Sequence, residues 1–235
     1  IDANQGETAF QYDALGRLTG VTDALGGVTS YSYDAAGNLV EKKDALGRAT
    51  TYRYNKRNLV VESVNPLGEK TVTAYDAAGN VTTGTAPDLT TTTYSYDPAH
   101  RLKQIEYGDG QKVSFTYDLA GRRIEMVDSS GLTRYTYDAL DRLTEVIDPR
   151  TQNTRYEWTP VGQRSRIVYP DNSSVYYEYD AAGQLVKVMD ESGTTHYEYD
   201  ANGRVVKRTL PNGGVSTYTY DALGQVTEIR HAGPG

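Results

Sequence analysis

A tyrosine, or once a tryptophan, returns every 20 or 21 residues along this chain: Tyr12, Tyr33, Tyr54, Tyr75, Tyr96, Tyr117, Tyr137, Trp158, Tyr179, Tyr199 and Tyr220. A fixed period of this length is the strongest constraint the sequence carries. One supersecondary unit of about that size cannot bury its own apolar surface, so copies must lie side by side and share it.

The unit itself can be read from the residues around each anchor. Two positions earlier stands a second aromatic in every copy but one: Phe10, Tyr31, Tyr52, Tyr94, Phe115, Tyr135, Tyr156, Tyr177, Tyr197 and Tyr218, with Thr73 as the exception. The residues between, such as Ser32, Arg53, Thr116, Glu157 and Glu198, are polar. Positions two apart share one face of a strand, so the pattern predicts a strand with an aromatic face and a wet face.

After the anchor comes Asp-x-x-Gly. The aspartates are Asp13, Asp34, Asp76, Asp97, Asp118, Asp138, Asp180, Asp200 and Asp221, and the glycines are Gly16, Gly37, Gly79, Gly121, Gly162, Gly183, Gly203 and Gly224. Asp suits the first position of a type I turn and Gly the fourth. The departures carry the same chemistry. Asn55 and Thr159 keep a side-chain oxygen able to accept from a backbone N–H two residues on. Pro98 and Pro160 supply the φ that the second position needs. Asn58, His100 and Asp141 replace glycine with residue types that tolerate positive φ, which predicts a left-handed residue and a bulged hairpin.

An apolar residue follows the glycine position by two in most copies: Leu18, Leu39, Val60, Val81, Leu102, Leu143, Leu185, Val205 and Val226. This begins the return strand. A second turn closes the repeat, written Asp-x-x-Gly or Asn-x-x-Gly at residues 23–26, 44–47, 65–68, 128–131 and 190–193. Residues 107–110, 169–172 and 210–213 read as tighter hairpins, and residues 84–89 and 148–153 as longer loops. The two 20-residue intervals must be absorbed at a turn or bulge, because a deletion inside a strand would invert every later side chain.

The expectation is therefore an all-β fold. About 22 strands of five to seven residues form tandem antiparallel hairpins in one curved or spiralling sheet, and residues 1–235 form a single array of eleven repeats. Composition agrees. Leu, Ile, Val and Phe together make up only about 19% of the chain, whereas tyrosine occurs 21 times. That suits a thin sheet held by cross-strand tyrosine pairs better than a globule with a thick aliphatic core. Uncapped sheet edges open a route to edge-to-edge self-association.

The same residues weigh against most site chemistry. A formal charge of −7, with basic residues scattered one or two per repeat, argues against nucleic acid and anionic membranes. No cysteine is present, so neither disulfides nor thiolate chemistry are available. No apolar run reaches membrane-spanning length, and the opening IDANQGETAF lacks a leader signal. The repeated aspartates read as turn residues, not as acid–base pairs or a calcium cage. His100, His196 and His231 are too few and too dispersed for a metal site. No catalytic, cofactor-binding or metal-ligating residue is expected, and Trp158 reads as a member of the anchor row. Exposed tyrosines leave glycan binding as a weaker reading.

Tyr-Asp-Ala-Leu-Gly-Arg-Leu-Thr at 12–19, followed by a second Asp-x-x-Gly, resembles the YD repeat of Rhs proteins, bacterial toxin complexes, wall-associated contact toxins and teneurins. The resemblance implies a hollow β shell and no enzyme activity in the repeats themselves. It further implies an enclosed toxin polypeptide, or other segments of the same parent chain, as partner, in a secreted or cell-surface setting. The alternative it carries is an extracellular adhesion module.

Overall fold

A computed structural model describes residues 7–234, and the first residues read for a leader signal lie outside that range. Twenty-two strands and no helix are present among the described residues. Two compact units are distinguished, one running to Ser114 and the other starting at Phe115.

The first unit contains β1 (Ala9–Tyr12), β2 (Leu18–Thr22), β3 (Val28–Tyr33), β4 (Leu39–Lys43), β5 (Ala49–Tyr54), β6 (Val60–Val64), β7 (Lys70–Tyr75), β8 (Val81–Thr85), β9 (Thr91–Tyr96) and β10 (Leu102–Glu106). It ends partway along β11 (Lys112–Tyr117). The second contains β12 (Arg123–Asp128), β13 (Gly131–Tyr137), β14 (Leu143–Ile147), β15 (Asn153–Trp158), β16 (Arg164–Val168), β17 (Ser174–Tyr179), β18 (Leu185–Asp190), β19 (Gly193–Tyr199), β20 (Val205–Thr209), β21 (Val215–Tyr220) and β22 (Val226–Ala232). Within each unit every strand pairs antiparallel with the next in sequence, a pure meander.

The first turn of each repeat has one geometry throughout. In the first copy Gly16 N–H donates to Asp13 C=O at 3.0 Å and Asp13 N–H to Arg17 C=O at 2.9 Å. The residue at the glycine position has positive φ, from +76° at Gly16 to +97° at Gly79, and Asn58, His100 and Asp141 sit at +59°, +61° and +63°. Beside the anchor the ladder slips: Gln11 faces Gly20, but Tyr12 faces Leu18. This bulge recurs beside each anchor whose hairpin register is given, for example between Ser32 and Tyr33 and between Glu157 and Trp158.

Three expectations for the second turns need correction. Residues 84–89 and 148–153 are not longer loops. β8 runs through Thr85, and the turns at Ala86 and Asp148 have the same bonding as the first turns, with Leu89 at φ +67° and Thr151 at +63°. Nor are the turns at Tyr107, Tyr169 and Leu210 tighter; each again bonds residue i to i+4 and i+3 to i. The tight links are the two Asp-x-x-Gly turns at 128 and 190, where Asp128 faces Gly131 and Asp190 faces Gly193 across two residues. These close the 20-residue intervals, so the missing residue is taken from a turn and strand phase is kept.

The sheet is thin. Ile167 at 7% and Val168 at 5% exposure are the only large apolar side chains to count as buried among the described residues. Alternation is still visible, as in β5, where Tyr52 and Tyr54 are half-buried and Arg53 between them is exposed. The opposite face carries cross-strand ion pairs, including Lys70–Glu62 at 2.5 Å, Lys187–Glu178 at 2.8 Å and Lys207–Glu198 at 2.8 Å. Such pairs, with their lysines exposed to solvent, add little each. Stability must therefore come from main-chain ladders and from whatever joins one hairpin to the next.

Candidate functional site: the seam between repeats

Tyrosines do not face each other across neighbouring strands, which corrects the expectation of tyrosine–tyrosine pairs. Tyr31 faces Lys42, Tyr94 faces Ile105, Tyr135 faces Val146, Tyr156 faces Ile167 and Tyr177 faces Val188. Successive anchors stand two strands apart, about 9–10 Å. The anchors act through their polar ends instead.

Between hairpins the main-chain ladder is short. β2 and β3 pair only at Gly20–Ser30, Val21–Thr29 and Thr22–Val28, so towards the first turn the strands part company. A backbone carbonyl left there would lose its partner. The anchor hydroxyl supplies one: Tyr33 donates to Leu18 C=O at 2.8 Å. The bond recurs from Tyr54 to Leu39, Tyr75 to Val60, Tyr96 to Val81, Tyr137 to Arg123, Tyr179 to Arg164, Tyr199 to Leu185 and Tyr220 to Val205, always at 2.7–2.9 Å. Trp158 keeps it through indole Nε1–H to Leu143 C=O at 2.8 Å. Tyr117 also has an interaction partner, and Tyr12, on the first strand, is 61% exposed.

Aspartate organises nine of the eleven first turns. Asp13 Oδ1 accepts from Leu15 N–H at 2.9 Å and Arg17 N–H at 3.0 Å, while Oδ2 accepts from Arg17 Nε at 2.7 Å. The Arg17 backbone N–H, with its side chain, holds the Asp13 carboxyl below its ordinary value of 3.8. The Asn38 side chain does the same first for Asp34, and the Arg142 side chain for Asp138. Burial instead raises the Tyr54, Tyr96, Tyr179 and Tyr199 phenols above 10.0.

The residue immediately after the glycine position joins the two devices, and sequence reasoning assigned it no role. Arg17 grips its own Asp13, lies 4.7 Å over the ring of Tyr33 in the next repeat, and donates from Nη1 to Asp34 C=O at 3.3 Å. Arg122 repeats this toward Tyr137 and Asp138, Arg142 toward Trp158 and Thr159, and Arg204 toward Tyr220 and Asp221. In three of the copies without arginine an amide spans the gap: Asn38 to Asn58 at 2.9 Å, Asn80 to His100 at 3.1 Å and Gln163 to Gly183 C=O at 2.8 Å. Leu59 has no donor, and Arg57 reaches Asp76 C=O from two residues away. The signal was present in the sequence, because Arg, Asn or Gln fills this position in every copy but that one.

The histidines are dispersed. His100 serves in a turn, His231 Nδ1 lies 2.9 Å from Ser216 Oγ, and His196 pairs in register with Lys187 and Thr209. No group of three metal-ligating side chains occurs among the described residues.

A meander whose seams are mortised by Tyr, Asp and Arg defines a shell-type β-hairpin repeat protein. Comparison gives the family. The Teneurin YD-shell family model matches residues 48–176, more than half of the chain, and the RHS Repeat model matches residues 1–28, 12–47, 179–215 and 199–234. The chain belongs to the Rhs/YD-repeat family, whose repeats are structural. The crystal structure of TcdB2-TccC3-TEV is similar over 100% of this chain and 15% of that one, with a TM-score of 0.83 at 16% identity. TcdB2-TccC3 without the hypervariable C-terminal region is similar over 97% of this chain and 18% of that one, with a TM-score of 0.62 at 16% identity. The chain thus spans less than a fifth of either structure, and the likeness is one of fold. No curated protein matches the chain.

Proposed function

We propose that the eleven repeats form one array within a longer secreted protein, and that they are a stretch of the wall of a Rhs-type shell enclosing a toxin polypeptide of the same parent chain. The observation that carries this reading is the absence of a thick core combined with a bonded seam at each repeat. A wall must separate two compartments with one layer of protein, and a sheet stabilised at its seams does so without needing a second layer over either face. The repeats work sterically, holding an enclosed polypeptide away from solvent and targets.

The test uses the parent protein. Limited proteolysis should leave the enclosed segment intact in the native protein. Replacing neighbouring anchors, Tyr75→Ala with Tyr96→Ala, should open the wall and expose that segment to cleavage. Equal cleavage of the segment in both proteins would remove the enclosure reading and leave the repeat fold untouched.

A further inference from the structure

The anchor face of the second unit departs from the repeat at two matched places. The position two after the glycine, Leu or Val in nine copies, is Arg123 on β12 and Arg164 on β16. Both residues are exposed, yet neither guanidinium turns away from the rings. Arg123 lies 4.5 Å from the centre of the Tyr135 ring and 5.8 Å from that of Phe115, and Arg164 lies 5.5 Å from Tyr156 and 5.7 Å from Trp158.

Nearby arginines are neutralised within the chain: Arg122 pairs with Asp118 and Asp141, Arg142 with Asp138 and Arg166 with Glu157. Arg123 and Arg164 have no carboxylate partner among the described residues. Their face offers none. Every strand glutamate of this unit, from Glu125 to Glu228, is registered on the opposite face. The aspartates that end β12 and β18 are engaged in their own turns, Asp128 accepting from Ser130 N–H and Asp190 from Ser192 N–H, each at 2.8 Å. Arg208, facing Tyr197 on the anchor side, adds a third positive charge. A chain of formal charge −7 thus carries an aromatic strand face with arginines and no glutamate.

A guanidinium stacked on a ring is held by its flat side, which leaves its edge N–H groups to receive a carboxylate through two parallel bonds. Three strands separate β12 from β16, so the two arginines stand about 19 Å apart across the sheet. An extended peptide covers that distance in about six residues. Leu143 and Val146 of β14 lie between them on the same face. Nucleic acid fits poorly, because phosphates recur about every 3.4 Å along a strand and most would rest on uncharged surface.

We infer that this face docks an acidic polypeptide in extended form. Two carboxylates about six residues apart enter Arg123 and Arg164, and apolar side chains between them rest on Leu143 and Val146. Docking requires the sheet alone and no closed shell.

Trp158 is the chain's one tryptophan and borders Arg164, so its emission reports occupancy. The chain should be titrated with a peptide of about 12 residues, rich in alanine and valine, whose two glutamates stand about six residues apart. Binding should saturate below about 1 mM. Arg123→Leu and Arg164→Leu install an ordinary residue of other repeats and should leave melting unchanged. Each should weaken binding about tenfold, and together about a hundredfold, since the two positions are well separated. The same peptide with lysines in place of the glutamates should not bind. Affinity unchanged in the double leucine variant, equal affinity for the lysine peptide, or tighter binding of a thymidine oligonucleotide of equal length would overturn the inference. So would absence of binding at about 1 mM by both emission and calorimetry.

Discussion

The hairpin β15–β16 of the second unit and the hairpin β7–β8 of the first are built on the same turn and bulge but filled differently. In the second unit Tyr156 faces Ile167, which is 7% exposed. In the first, Thr73 faces Gly84, and a side chain built on Gly84 would meet nothing within 4 Å. The neighbouring hairpin of the first unit also sets a serine, Ser63, opposite Tyr52. Both hairpins nonetheless carry the seam bond, Trp158 to Leu143 and Tyr75 to Val60, each at 2.8 Å. A repeat can thus lose the apolar pair on its face and keep its place in the sheet, because the seam and turn hold it.

If turns and seams are what the two regions share, pH should act on both and give the largest effect. The turn aspartates have carboxyls depressed below 3.8 in the folded chain, so their contribution is complete above that value and is lost as pH falls through the lower folded values. The phenols of Tyr54, Tyr96, Tyr179 and Tyr199 are raised above 10.0, so theirs is complete below 10.0 and lost as pH rises through the higher folded values. Urea midpoints should be flat across neutral pH and fall at both extremes, with hydrogen exchange quickening in both units alike. Loss confined to one unit would break the comparison.

Face packing should separate the two regions. Ile167→Ala is expected to cost about 2–4 kcal/mol in urea unfolding, as for a buried aliphatic residue, whereas Ser63→Ala should change stability by less than about 0.5 kcal/mol. Equal costs would show that the faces matter equally. Gly121→Val, at φ +87° in a first turn, should cost about 1–3 kcal/mol through backbone strain.

Filling the weak hairpin gives the smallest effect. Gly84 has open space, and Gly84→Val should stabilise by about 0.5–1 kcal/mol through strand propensity and a new contact with Thr73. An unchanged or lower urea midpoint would mean that the Thr73 hairpin is not limited by its face.

The period, strands, first turns and bulged hairpin were legible because each rests on local chemistry that the residues state directly. Asn58, His100 and Asp141 announced positive φ by residue type. Leu89 and Thr151 did not, since neither residue favours that conformation, and there the ladders on both sides impose the turn. Asp128 and Asp190 have the same letters as the ordinary turns, but the shorter interval closes them across two residues. Sequence cannot show which strand a side chain reaches, so tyrosine was read as packing against tyrosine when its hydroxyl caps a carbonyl. For the same reason Arg17 and its equivalents were passed over: their partners lie in the next repeat, 16 or 17 residues away.

Trp158 offers the most direct test of the seam, because it is the one anchor that donates from nitrogen. Melting temperatures should be measured for Trp158→Tyr, which restores the hydroxyl used in neighbouring copies, and Trp158→Phe, which has no donor. Loss of one hydrogen bond is worth about 1 kcal/mol, or roughly 2–4 °C for a chain of this size. The phenylalanine variant should melt lower than the tyrosine variant by about that margin. Equal melting of the two would contradict it.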